Sequence, residues 1–119
     1  MRKAFAHYAA LRLAAGGDDG APGATITVAL CGHWEHEPPC PLAPHHTHAE
    51  RVGDELRLRT LFLAEPQLED EVRQQIDAAL ASSRCVGPDG ATTTWQVLGT
   101  RSGEVLEADL SHAERLILS

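Results

Sequence analysis

The sequence predicts an α+β domain in which a small, mainly antiparallel sheet of about four strands carries one or two helices packed on one face. Three observations indicate this class. Apolar residues recur at helical spacing over 66–82, they alternate at strand spacing in segments such as 55–64 and 92–100, and most connections are short and rich in turn residues. Strands joined in this way pair antiparallel, and an amphipathic helix then covers the apolar face of their sheet.

The helical pattern over 66–82 is the clearest in the chain. One face carries the apolar residues Leu68, Val72, Ile76, Ala79 and Leu80. Pro66 suits the first turn, where its missing N–H is not needed, and the acidic run 69–71 complements the positive end of the helix dipole. We therefore predict one amphipathic helix over 66–82.

Strand patterns account for most of the remaining chain. Residues 25–34, "TITVALCGHW", alternate so that Ile26, Val28, Leu30 and Trp34 share one face, and β-branched residues reinforce a strand there. In 55–64 the inward residues are Leu56, Leu58 and Phe62, and the outward ones are Arg57 and Arg59. Residues 4–15 fit a strand or a helix, and we favour a strand. The spacing over 106–117 predicts a second helix.

Composition limits the classes of function. The 119 residues make one domain, with a formal net charge of −7, and the basic residues are scattered. Nucleic acids and anionic membrane surfaces are therefore not expected as partners. No apolar run is long enough to cross a bilayer, and His7 and Arg12 interrupt the start that resembles an export signal. We expect a cytoplasmic protein with its three cysteines reduced or bound to metal.

One short segment collects the side chains that bind metals. Between residues 31 and 48 lie two of the three cysteines and five of the seven histidines: Cys31, His33, His36, Cys40, His45, His46 and His48. We expect Cys31 and His33 to share a face at the end of the 25–34 strand. Four prolines from 38 to 44 stiffen the chain and so lower the entropy cost of presenting ligands. The segment therefore predicts a metal site with at least three of these ligands.

Zinc is the first choice of metal, because mixed sulfur and nitrogen ligands suit it and it needs no redox environment. Copper or another late transition metal fits the same side chains. Four protein ligands would make the site structural, or part of a carrier or sensor, whereas three and an open position would make it catalytic. For the catalytic alternative, Glu35 and Glu37 are weak candidates for a general base beside metal-bound water.

Other interpretations stay open. The alternative function is a small metalloenzyme or Cys-His enzyme acting on a small molecule between sheet and loop. The histidines of the segment could also be solvated loop residues, while His7, His112 and Cys85 are expected to be structural or surface residues. We predict residues 37–52 to be non-regular because of their prolines. A partly apolar second sheet face, with Leu61, Leu63 and Leu98, favours a homodimer.

Overall fold

The structure, a computed structural model, describes residues 3–31, 44–87, 89–107 and 109. The elements in chain order are β1 (Lys3–Leu13), α1 (Ala21–Cys31), β2 (His45–Val52), β3 (Glu55–Ala64), α2 (Glu69–Ala81), β4 (Arg84–Val86) and β5 (Thr92–Gly103). A single 3-10 turn, Pro66–Leu68, leads into α2. The predicted helix at 106–117 falls almost wholly outside the described residues. Among those that are described, no helix has the length and apolarity needed to cross a bilayer.

The sheet is antiparallel throughout and has the strand order β2-β3-β1-β5-β4. Its four long strands and two helices follow one another as β-α-β-β-α-β, with β1 and β3 in the centre. This is the order of the split β-α-β, or ferredoxin-like, arrangement. The α+β prediction is confirmed, although the sheet has five strands rather than about four, because the short β4 pairs with the far edge of β5.

The helix α2 forms where the sequence predicts it. Val72, Ile76 and Leu80 are buried against the sheet, as their spacing requires. The indole Nε1 of Trp95 donates a hydrogen bond of 2.9 Å to the Leu80 carbonyl in the last turn of the helix, and this carbonyl also accepts from the Ser83 N–H at 3.1 Å. A residue of β5 thereby fixes the end of α2.

The predicted strand at 25–34 is wrong, because residues 21–31 form the helix α1. Ile26 and Leu30 are buried, and a spacing of four fits a helix as well as it fits alternation. Val28 distinguishes the two, since a strand would place it beside them whereas it is 51% exposed. The side chain of Thr25 donates to the Ala21 carbonyl, the i−4 bond typical of a helical threonine. Pro22 in the first turn was the missed sequence signal.

The prediction that residues 37–52 are non-regular is wrong from His45 onward. Residues 45–52 form β2, which is joined to β3 by a tight turn at 53–54 and pairs with it from Glu55 to Phe62. Proline excludes strand pairing only where a backbone donor is needed, and Pro44 is the last proline of the segment. Its carbonyl accepts a hydrogen bond of 3.0 Å from the Leu63 N–H and so begins the pairing. Residues 37–43 lie outside the described part of the chain.

One face of the sheet is covered by the helices, and two leucines of the second face are also buried within the same chain. One face packs on α1 and α2, and its core includes Leu11, Phe62 and Trp95. On the second face, Leu61 and Leu63 are each only 1% exposed within the single chain. A second copy of the chain is therefore not needed to cover these two leucines. Of the three residues behind the homodimer prediction, only Leu98, at 38%, remains exposed.

Candidate functional site

Three of the predicted metal ligands lie on β2, the edge strand beside β3. His45 is paired with Phe62, His46 with Leu61 and His48 with Arg59. Because side chains alternate along a strand, His46 and His48 lie on the second face of the sheet, and His45 lies on the face that the helices cover. The strand thus separates the three histidines into a pair and a single residue.

The positions of His46 and His48 on the strand would allow both imidazoles to bind one ion. Residues two apart on a strand have Cα atoms about 6.6–6.8 Å apart, and their side chains project in the same direction. Two imidazoles placed this way can converge on one ion, for which zinc–nitrogen bonds of about 2.0–2.1 Å are typical. Both side chains are exposed, so water and ions reach them.

The single histidine, His45, joins the sheet to α1. Its Nε2 lies 3.0 Å from the Thr27 hydroxyl. Beside this contact, a cleft of about 290 Å³ separates α1 from β2, with Asp19 and Thr47 also in its lining. The lining of this cleft is polar and includes an acid, an imidazole and two hydroxyls, which are groups able to hold or transfer a proton.

Asp19, which lines this cleft, forms an ion pair with Arg51. Asp19 Oδ1 accepts a hydrogen bond of 2.8 Å from Arg51 Nε. That bond, and then the Coulomb attraction of the carboxylate, raises the pKa of Arg51. The pair ties the loop before α1 to β2.

The remaining predicted ligands are only partly located. Cys31 is the last residue of α1, rather than part of a strand as predicted, and its side chain is not among the described ones. The other candidates lie outside the described residues: His33, His36 and Cys40 as ligands, and Glu35 and Glu37 as bases. Within the described ranges, no three His, Cys, Asp or Glu side chains converge in a way that could hold a metal ion. The prediction of a three-ligand site therefore stays a prediction.

A cluster around His7 was missed by the sequence analysis. His7 is 4% exposed and lies between β1 and α2, with Nε2 2.8 Å from Asp77 Oδ1. Arg73 donates from one terminal nitrogen to both His7 Nδ1, at 3.1 Å, and the Ala6 carbonyl, at 2.7 Å. Glu69 pairs with the Nε of the same arginine at 2.8 Å. The signal was available, because 69, 73 and 77 follow one another at a spacing of four on α2.

Comparison with protein-family models, with curated proteins and with solved structures finds no match to this chain. A fold of this arrangement serves many unrelated functions, so the function has to be argued from the side chains themselves.

Proposed function

We propose that the protein binds a transition metal ion, zinc first, through the segment 31–48, with His46 and His48 as two of its ligands. One observation carries the proposal: these two histidines occupy alternate positions of the edge strand β2 and project from the same face. The strand fixes the separation of the two Cα atoms, so little backbone entropy is lost when the imidazoles bind an ion.

The other ligands are proposed from the sequence that precedes the pair. Cys31, His33, His36 and Cys40 lie within 15 positions of His46 along the chain, and thiolate with imidazole is the ligand combination that zinc favours. A site completed by two of them would have four protein ligands, which suits a structural, carrier or sensor role. A structural site would also contribute directly to the stability of the fold.

Elemental analysis of protein purified without a histidine tag tests this function. We expect about one equivalent of zinc per chain, and a melting temperature that falls on chelation. Single His46→Ala and His48→Ala variants should each carry less metal, whereas His112→Ala, which removes a histidine outside the segment, should carry as much as wild type. Less than about a tenth of an equivalent of any transition metal in wild type would contradict the proposal.

The cleft between α1 and β2 favours a second candidate, a small metalloenzyme or Cys-His enzyme acting on a small molecule. Its lining offers an imidazole from His45 beside the Thr27 hydroxyl, which is a pair able to relay a proton. The two candidates differ in coordination, because a catalytic zinc leaves one position open. Cobalt-substituted protein should show no change of its visible spectrum with azide if the site is closed, and a clear change if one position is open.

A further inference from the structure

A second cleft, of about 420 Å³, lies on the face of the sheet that the helices do not cover. It is lined mainly by β1, β3 and β5. Arg57, Ala10 and Gly99 form one row across these three strands, and Arg59, Tyr8 and Arg101 form the next. Its volume falls within the range of small-molecule sites.

The cleft exists because its floor carries almost no side chains. Ala10 and Gly99 face each other in the register, and a Cβ added to Gly99 would meet no atom within 4 Å. Beside them the register shifts, since Leu11 is paired with Val97 and Leu98 is left over as a bulge. The extra residue bends β5 and places Leu98 on the rim of the cleft.

The Tyr8 ring lies at the edge of the cleft, where contacts with β5 and with the residue after it hold the ring in place. Its hydroxyl donates a hydrogen bond of 2.7 Å to the Glu104 carbonyl. A Cβ on Gly103 would overlap the ring, so the ring lies over the bare backbone of that glycine. The guanidinium of Arg101 stacks on the same ring, with its carbon 4.6 Å from the ring centre. The aromatic ring therefore holds Arg101 at the cleft wall.

Two arginines stand on the two strands that flank this floor, Arg57 on β3 and Arg101 on β5, one row apart in the register. Arg101 makes no ion pair with any carboxylate in the described part of the chain. Within that same part of the chain, the ion pair of Arg57 is with Glu55 at 3.4 Å, and 58% of the Arg57 side chain is exposed. So long and exposed a contact contributes little, which leaves the guanidinium able to bind another anion.

We propose that this cleft binds a small molecule that bears an oxyanion, a carboxylate or a phosphate, held between Arg57 and Arg101. The planar guanidinium groups match the paired oxygens of either anion. The apolar part of the ligand would lie on the floor formed by Ala10 and Gly99 and against Leu98. On a chain with a net charge of −7, an anion needs such a local concentration of positive charge.

The Glu55 carboxylate should weaken the binding of an anion in this cleft. It lines the same cleft and competes with the ligand for Arg57. Its charge repels an incoming anion, so removing that charge should strengthen binding, whereas removing either arginine should weaken it. Changes of opposite sign at neighbouring residues distinguish a specific site from a general effect on folding.

Titration of the full chain with phenyl phosphate and with benzoate, followed by the backbone amide NMR signals of Ala10 and Gly99, tests the proposal. We expect saturable binding of at least one of them, with a Kd of about 1 mM. Arg57→Gln and Arg101→Gln should each weaken it by at least about fivefold, because each removes a charge-assisted hydrogen bond. Glu55→Gln should strengthen it about twofold. Arg84→Gln, which removes an arginine of β4 outside the cleft, should leave it unchanged.

The possible results of this titration either identify the anion or overturn the proposal. A preference for benzoate or for phenyl phosphate identifies the oxyanion as carboxylate or phosphate. The proposal is overturned if neither probe saturates by about 20 mM, which is far above the expected Kd. It is equally overturned if benzyl alcohol, a neutral probe with the same ring, binds as well, or if Arg84→Gln weakens binding as much as Arg57→Gln and Arg101→Gln do.

Discussion

His7 Nε2 lies 2.8 Å from Asp77 Oδ1, and this contact joins a central strand of the sheet to α2. The other ring nitrogen, Nδ1, accepts a hydrogen bond from Arg73, so it carries no proton. In this arrangement Nε2 is the ring nitrogen that donates a hydrogen bond to the Asp77 carboxylate. A buried imidazole has both of its polar atoms satisfied in this arrangement.

His7→Ala should lower the free energy of unfolding by about 2–3 kcal/mol, because it leaves Arg73 with one acceptor fewer and empties a buried position. Asp77→Asn keeps an acceptor oxygen and should have a smaller effect. Urea denaturation in the presence of a chelator measures both. His48→Ala is the matched control, since it removes an exposed histidine, and equal loss of stability in the two alanine variants would contradict the account.

Trp95→Phe should destabilise the protein by about 1 kcal/mol. The phenyl ring still fills most of the indole position, but the bond from Nε1 to the Leu80 carbonyl is lost, and that carbonyl lies at the buried end of α2. Hydrogen exchange should speed up first in the last turn of α2. Unchanged exchange there would show that the indole does not fix the helix end.

The helical assignment of residues 21–31 predicts unequal effects at Ile26 and Val28. Ile26→Ala should reduce the free energy of unfolding by about 2–5 kcal/mol because Ile26 is fully buried. Val28→Ala should change it by less than about 0.5 kcal/mol, because Val28 is half exposed and alanine is the better helix former. A similar decrease in the free energy of unfolding for the two variants would contradict the helix and favour the strand that the sequence predicts.

This difference at Val28 also shows what the sequence could and could not predict. The α2 pattern runs over more than three turns, so only a helix aligns its apolar residues, and β3 alternates from Glu55 to Arg59. In α1 the buried positions 26 and 30 satisfy both periods, and the β-branched residues around them favour the wrong one. Packing against α2 and the sheet overrides that propensity.

The candidate sites were predicted to different extents. The sequence alone points to the segment 31–48, because so many cysteines and histidines rarely occur in so short a stretch. That His46 and His48 share a face could be predicted only by knowing that residues 45–52 form a strand. The cluster around His7 and the cleft between Arg57 and Arg101 depend on which strands are neighbours. Strand order is a long-range property that local periodicity does not contain.

Gly103→Ala should lower the free energy of unfolding by about 1–3 kcal/mol, because the added methyl group displaces the Tyr8 ring. Displacement would also remove the surface on which Arg101 stacks, so the variant should bind phenyl phosphate more weakly. Gly99→Ala is the control for stability, since its methyl group would enter open space. Thermal melts of the two variants should differ clearly, and identical melts would contradict the placement of the ring.

The central claim is that His46 and His48 bind one metal ion together. A competition titration of zinc against a chromophoric chelator measures this directly in wild type, in His46→Ala with His48→Ala, and in His112→Ala. We predict that the double variant loses at least about tenfold in zinc affinity, equivalent to 1.4 kcal/mol, while His112→Ala binds as wild type does. Equal zinc affinity in all three proteins would contradict the claim.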